Sequence, residues 1–247
     1  LIAIDELPYF LARLEKEDDA KERIAHFLHW LRAYRGKDGN NIRWIFCGSI
    51  GLDTFTEKHR LSEAMNDVEK YSLGAFDNET AKSFLGKLGT DNGMVLSTNH
   101  IELILGIIGW PLPFFLQAHF KQLHRLVNRK NNHAIADEDI KLAYENIIKD
   151  TTALKTWEER LDEQLNVIEA NCCKILLTGI CRSVKGMTRK KLYDLVYPLT
   201  NDTTKCESML TFCLKLLERD GYLICEERHY AFRSPLLRDF WYDLKVK

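Results

Sequence analysis

The 247-residue chain lacks the signatures of a disulfide-linked, zinc-binding or membrane-spanning protein. Its seven cysteines are an odd number with no Cys-x-x-Cys pair, which argues against a disulfide framework and a zinc ribbon. The apolar run over residues 103–110 is far shorter than the roughly 18 residues that a membrane span needs, and no signal peptide is visible. We therefore expect reduced, mostly buried thiols in a cytoplasmic protein without a membrane partner.

An excess of positive charge is also absent. Thirty-five Lys and Arg against 36 Asp and Glu leave a net charge of -1, so any contact with DNA must be local. The hydrophobic share of 45% and the charged share of 29% are those of an ordinary globular protein, which excludes a disordered or collagen-like chain. At about 150 residues per domain, the length predicts one to two domains.

The first six residues combine a predicted strand with two acids. Residues 1–4 (Leu-Ile-Ala-Ile) form an apolar run that is typical of a strand buried on both faces of a parallel sheet. Asp5 and Glu6 follow at the carboxyl end, where open α/β sheets bind ligands. One carboxylate can hold Mg²⁺, usually through water, while the next orients or deprotonates a water that attacks a phosphate. A strand that merely ends in acidic loop residues is the alternative.

The phosphate loop that accompanies such a strand in nucleotide-binding proteins is missing. The motif Gly-x-x-x-x-Gly-Lys-[Ser/Thr] supplies backbone N–H groups that cradle phosphates. Gly-Lys pairs occur at residues 36–37 and 86–87, and neither is followed by a hydroxyl residue. Because a buried strand needs neighbours on both sides, we expect the chain to be a fragment. If its parent protein binds a nucleotide, the phosphate loop lies in the part that this chain lacks.

A second strand is predicted over residues 42–47, after a helical pattern over residues 11–34. The order strand, helix, strand predicts a parallel right-handed crossover, which places Ser49 beside Asp5 and Glu6. A hydroxyl group there can hydrogen bond to a γ-phosphate or to the attacking water. Alternatively, Ser49 caps a turn.

A serine hydrolase is another interpretation of this segment. Residues 47–51 (Cys-Gly-Ser-Ile-Gly) differ from the nucleophile elbow Gly-x-Ser-x-Gly at Cys47. Asp53 and His59 are candidate partners of Ser49, although their positions are not characteristic of a catalytic triad.

The pattern after the second strand is helical. Asp77 is a candidate N-cap, and Asn99 with Glu102 has the spacing of a capping box. Gly109-Trp110-Pro111 ends one helix, and an acidic first turn at residues 137–139 begins another. Small helices after a nucleotide-binding sheet form a lid, but any helical bundle has the same periodicity.

Residues 168–247 have the pattern of helices followed by a hairpin, which is the order of a winged helix. This segment has 14 basic and 10 acidic residues, a charge of +4, against -5 for the residues before it. DNA phosphates are one partner for its basic cluster, which comprises Arg182, Lys185, Arg189, Lys190 and Lys191. Glu226 and Glu227 in the predicted wing turn favour a packing or protein-binding module instead.

Together these motifs resemble P-loop ATPases of the AAA+ and STAND kind of archaea and bacteria, which carry a C-terminal winged helix. The resemblance covers nearly all of the chain and depends on the order and spacing of its motifs. The segments that show the resemblance are residues 1–6 (Walker B strand), 45–49 (sensor-1 strand), 73–76 with Glu79 and Ala81 (start of the lid), 109–111 (Gly-x-Pro) and 230–237 (end of the winged helix).

The resemblance implies ATP and Mg²⁺ as cofactors of the intact parent. The implied roles are Asp5 for Mg²⁺ through water, Glu6 for activating water, Ser49 for sensing the γ-phosphate, Gly109 and Pro111 for the adenine side, and Arg233 where some STAND members place a phosphate-contacting histidine. Arg60 is a candidate arginine finger. Without the phosphate loop, the chain alone should be inactive and should not hold ATP tightly.

The predicted fold is a partial α/β parallel nucleotide-binding sheet over residues 1–72, an all-α lid and connector over residues 73–167, and a winged helix over residues 168–247. The leading hypothesis is an ATP-binding and ATP-hydrolysing molecular switch, with nucleotide and a protein or DNA as partners. The alternatives are a winged-helix DNA-binding regulator with a structural ATPase-like part and, third, the serine hydrolase.

Overall fold

The structure, a computed structural model, describes residues 1–37, 39, 41–48, 52–71, 73–130 and 134–247. By its internal contacts the chain divides into two compact units, Leu1–Ser72 and Leu73–Lys247.

The first unit contains a short parallel sheet and helices. Strand β1 (Ile2–Ile4) pairs in parallel with β2 (Trp44–Phe46), which confirms the pairing predicted from the strand–helix–strand order. The helices are α1 (Leu7–Leu14), α2 (Ala20–Arg35), α3 (Leu52–Lys58) and a 3-10 helix (Ser62–Met65). Helix α1 begins earlier than the predicted residue 11, because Pro8 in its first turn has a backbone already suited to a helix start.

One face of this sheet is covered and the other is open. Ile4, Trp44 and Phe46 pack against the buried side chains of α1 and α2. Alternate strand residues point the opposite way, and Leu1 and Ile45 are 83% and 46% exposed. The expectation of a strand buried on both faces is therefore wrong for the described chain, because its helices cover one side of the sheet.

The second unit is mostly helical. Its helices are α4 (Asn78–Asp91), α5 (Thr98–Ile108), α6 (Pro113–Asn128), α7 (Asp137–Lys149), α8 (Thr151–Gln164), α9 (Val167–Ile180), α10 (Arg189–Thr200), α11 (Thr203–Arg219) and α12 (Pro235–Lys245). Strands β3 (Met187–Thr188), β4 (Leu223–Glu226) and β5 (His229–Phe232) form an antiparallel sheet in the order β3-β5-β4. The pairing of β4 with β5 confirms the predicted hairpin.

Two of the predicted helix starts have different outcomes. The Asp77 carboxylate accepts the Thr80 backbone N–H at 2.7 Å, which confirms Asp77 as the N-cap of α4. The capping box predicted for Asn99 and Glu102 is wrong. The hydroxyl group of Ser97 accepts a hydrogen bond from the His100 backbone N–H at 3.2 Å, and the His100 ring accepts one from the Ser97 N–H at 3.4 Å. Ser97 is therefore the N-cap, and α5 begins before Asn99.

Residues 73–167 and 168–247 pack around one continuous hydrophobic core. Trp157 and Tyr222 meet in it edge to face with ring centroids 5.0 Å apart, and the Tyr222 hydroxyl group donates to the Trp157 carbonyl oxygen at 2.5 Å. The Tyr144 hydroxyl group also donates to Asp239 at 2.8 Å. The predicted division at residues 167/168 stays a prediction.

The seven cysteines are free thiols. Five are buried and Cys47 and Cys225 are exposed, which confirms the expectation of mostly buried thiols. Within the described residues, none of the helices combines the length and the apolar character that crossing a membrane requires.

Candidate functional site

Asp5 and Glu6 occupy the turn between β1 and α1. Glu6 has φ +53°, in the left-handed region that costs a residue with a side chain about 1 kcal/mol. Its backbone N–H donates to the Asp5 carboxylate at 2.9 Å. This turn redirects the chain from the strand into the helix and leaves both acids exposed at the strand end.

The end of β2 lies beside these acids. The Cys47 N–H donates to the carbonyl oxygen of Ile4 at 2.9 Å, and the Leu7 N–H donates to the carbonyl oxygen of Cys47 at 3.1 Å. The acids and the segment that leads towards Ser49 therefore share one edge of the sheet. Ser49 itself lies outside the described residues, so its predicted place beside Asp5 and Glu6 stays a prediction.

The other candidates in the first unit are only partly described. His59 lies beside Glu15, with 3.4 Å between its Nε2 and the carboxylate. Since Ser49 and the side chain of Asp53 are outside the described part, the serine hydrolase stays a prediction. Arg60, the candidate arginine finger, is exposed just after α3.

Gly109 and Pro111 lie where α5 packs against the start of α12. Gly109 ends α5 with φ +69°, and a Cβ atom on it would come within 2.8 Å of the Pro235 ring. Glycine is the residue that tolerates both this backbone angle and this approach. The carbonyl oxygen of Pro111 accepts the N–H of Phe76 at 3.1 Å, which ties residues 109–111 to the segment before α4.

Trp110 connects this motif with Arg233. The Arg233 guanidinium carbon lies 5.5 Å from the centroid of the Trp110 ring, a cation–π distance. The Arg233 backbone N–H donates to the Tyr222 carbonyl oxygen at 3.0 Å. A Cβ atom on Gly221 would lie 2.9 Å from the same indole. The structure thus brings Gly109, Pro111 and Arg233 together around Trp110.

Sequence reasoning missed Trp110 and Gly221 as members of this contact. In the sequence, Trp110 lies within the motif that ends α5, and a large aromatic between a glycine and a proline is a usable signal for an anchoring side chain. Gly221 ends the turn after α11 with φ +82° and follows Asp220 in a turn-forming Asp-Gly pair. Its proximity to Trp110 depends on packing between distant segments and has no local signal.

The acids at the sheet edge fit a magnesium ion only in part. Carboxylate oxygens are the ligands that Mg²⁺ prefers, and Mg²⁺ usually takes one or two of them while water and substrate phosphates complete its shell. In the part of the chain that the structure describes, no group of three or more His, Cys, Asp or Glu side chains is arranged to hold a metal. Asp5 and Glu6 therefore fit a Mg²⁺ ion whose remaining ligands are phosphate and water, and they do not fit one held by protein ligands alone.

No protein-family model and no curated protein matches the chain. Among solved structures, the chain is similar to the Walker-type ATPase PABY2304 of Pyrococcus abyssi, with a TM-score of 0.58 and 18% sequence identity. The likeness covers 97% of this chain and 62% of that one, so the chain spans less than two thirds of its neighbour's length. At this identity the likeness shows the fold, and the chain has a fold like that of a P-loop ATPase.

Proposed function

We propose that the chain is part of an ATP-dependent molecular switch of the AAA+/STAND type. The observation that carries the proposal is the acidic turn after β1, which shares a sheet edge with the end of β2. In this proposal, β1 is the Walker B strand and β2 the sensor-1 strand. The proposal requires a phosphate loop supplied from outside this chain.

Each acid of the turn has a separate role in this proposal. Asp5 holds Mg²⁺ through water, and the ion neutralises charge on the phosphates. Glu6 orients the attacking water and accepts its proton, which is general-base work. The hydroxyl group of Ser49 hydrogen bonds to the γ-phosphate. The hydrogen bond from the Glu6 N–H to Asp5 fixes the turn from which both carboxylates act.

The second unit supplies the parts that respond to nucleotide. In this proposal, helices α4–α8 form the lid, and α9–α12 with β3–β5 form the winged helix. The order helix, strand, two helices and hairpin supports the second assignment. Gly109 and Pro111 lie on the adenine side and Arg233 reaches a phosphate. Since Trp110 contacts both Arg233 and the Gly221 turn, a nucleotide held by these residues favours one arrangement of the unit.

The Glu6→Gln substitution in the full-length protein tests this assignment. Gln keeps the size of the side chain but cannot take a proton, so ATP hydrolysis measured by phosphate release should fall by about 10²-fold or more. Binding of Mg²⁺-ATP should persist. Glu22→Gln is the matched control, because Glu22 is an exposed acid on α2 of the same unit. Turnover by Glu6→Gln at the unmodified rate would show that Glu6 is not the base.

DNA binding by the C-terminal segment is the second candidate function. Arg182, Lys185, Lys190 and Lys191 are exposed around the start of α10 and can reach phosphates. Arg189 is less available, because its guanidinium donates to the Glu207 carboxylate at 2.6 Å.

Duplex DNA binding by the whole chain, measured at several salt concentrations, tests this candidate. If α10 contacts phosphates, Lys190→Ala with Lys191→Ala should weaken binding uniformly across sequences. The slope of log affinity against log salt concentration should then show about two fewer counterions released on binding. An absence of binding at low salt would remove this function and leave the winged helix as a packing or protein-binding module.

A further inference from the structure

A groove on the second unit lies between the exposed side of α6, the end of α7 and the first half of α8. It has a volume of about 530 Å³, within the range of small-molecule sites. Its apolar wall is formed by Phe114, Ala118 and Ile147. Phe114 is 43% exposed, so an aromatic surface faces solvent where a ligand can cover it. None of the residues assigned above to nucleotide binding lines the groove.

Two cations stand along one side of this groove. Lys121 and Arg125 are one helical turn apart on α6, so they lie on the same helix face. Both are exposed. The structure shows no carboxylate within ion-pair distance of either cation among the described residues. Arg125 lies in the last turn of α6, where the negative carbonyl end of the helix favours a positive side chain.

The polar side chains of the groove limit the charge of its ligand. Asp150 lines the same groove, and the Gln122 amide donates to it at 3.4 Å. Two cations and one carboxylate give a net charge of +1 for the lining. A polyanion would bring surplus negative charge next to Asp150, whereas a single anionic group can meet Lys121 and Arg125. An apolar body would then pack on Phe114 and Ala118.

We infer that this groove is a binding site for a singly charged organic anion with an aromatic or aliphatic body. The head group accepts hydrogen bonds from Lys121 and Arg125, which are stronger than those between neutral groups. The amide of Gln117 lines the groove beside them as a further donor. Binding of the ligand's body removes apolar surface from water. Because the groove is already formed, few protein groups lose conformational freedom when the ligand binds.

Two fluorescent probes with the same body test the charge requirement. The sulfonate 1-anilinonaphthalene-8-sulfonate carries one negative charge, and N-phenyl-1-naphthylamine is its neutral counterpart. Titration of the full chain should show the sulfonate binding at least tenfold more tightly, because hydrogen bonds to charged groups are each worth roughly a factor of ten. Equal affinity for the two probes would show an ordinary apolar patch and overturn the inference.

Paired variants locate the binding. Lys121→Ala with Arg125→Ala should weaken sulfonate binding at least tenfold and leave the neutral probe unchanged. The control removes two exposed cations from the same unit outside the groove, Arg129→Ala with Lys141→Ala, and should bind both probes as before. Circular dichroism confirms that each variant is folded. Undiminished sulfonate binding by the first pair, or displacement of the sulfonate by a DNA duplex, would overturn the proposed site.

Discussion

His119 makes the stability of the second unit depend on pH. Its side chain is fully buried on α6, where one ring nitrogen, Nε2, lies 2.9 Å from the carbonyl oxygen of Ile140. The other nitrogen, Nδ1, is buried and has no hydrogen-bond partner within the described residues. Burial disfavours the charged ring more strongly than the Ile140 hydrogen bond favours it, and lowers the pKa of His119 to about 4.

The sign of the effect follows from proton binding. Between pH 6.5, the ordinary pKa of an unfolded histidine, and pH 4, the unfolded chain binds a proton that the folded chain does not. Stability from this group is therefore complete above pH 6.5 and falls as the pH drops towards 4. A difference of about 2.5 pKa units at 1.36 kcal/mol each amounts to about 3 kcal/mol.

Urea denaturation of wild type and His119→Gln at several pH values between 4.5 and 7.5 measures this contribution. Gln keeps a donor for the Ile140 carbonyl oxygen and does not titrate, so the pH dependence shared by other groups cancels in the difference. The wild type should lose stability relative to the variant by up to about 1.4 kcal/mol per pH unit below 6.5. His124→Gln, on the partly exposed side of the same helix, is the matched control.

Parallel stability curves for the wild type and His119→Gln would refute this argument. Should the variant unfold too easily to compare, NMR titration of the wild-type imidazole gives the same answer. A His119 pKa near 6.5 in the folded protein would show that burial does not suppress its charge.

Three further predictions concern other contacts of the chain. Gly221→Ala should cost roughly 1–3 kcal/mol in chemical denaturation, because φ is +82° and the new Cβ would meet Trp110 at 2.9 Å; an unchanged midpoint would contradict the packing. Burial would raise the pKa of Asp139, but hydrogen bonds from Lys130 at 2.6 Å and from a backbone N–H outweigh it and lower the pKa. Lys130→Met should thus lower the free energy of unfolding by about 1 kcal/mol at pH 7. The loss should shrink at acid pH as Asp139 becomes protonated. Lys87→Met breaks an exposed ion pair and should lower the free energy of unfolding by less. A thiol reagent should modify the two exposed cysteines in the native chain and all seven in denaturant; rapid native reaction of more than two would contradict the buried set.

Patterns that depend on neighbouring residues were predictable. The parallel pairing of β1 with β2 followed from apolar runs separated by a helical period, and the end of α5 followed from Gly109 and Pro111. The hairpin of β4 and β5 had strand-forming residues on both sides of a charged turn. The helix end and the hairpin have their signals within a few residues of the element, and the parallel pairing follows from the order of elements along the chain.

Features that depend on distant contacts were not predictable. The exposed face of β1 could not be inferred from its composition, because the run Leu-Ile-Ala-Ile is compatible with a strand covered on one face and with a strand covered on both. The capping residue of α5 was misplaced because Ser97 and Asn99 are both good caps and only the backbone geometry selects between them. Trp110 contacts Arg233 and the Gly221 turn, which lie more than 100 residues away in the sequence.

The shared core restricts how the proposed switch can move. Opening the second unit at residues 167/168 would separate Trp157 from Tyr222, which are 6% and 2% exposed, and would break the hydrogen bond between Tyr144 and Asp239. Exposing large apolar side chains costs roughly 1.5–3 kcal/mol each, so these two alone cost about 3–6 kcal/mol. Coupling between ligand sites is typically worth about 1–3 kcal/mol, which is too little to separate them. In the proposed switch, a nucleotide-driven change therefore leaves the contact between Trp157 and Tyr222 closed.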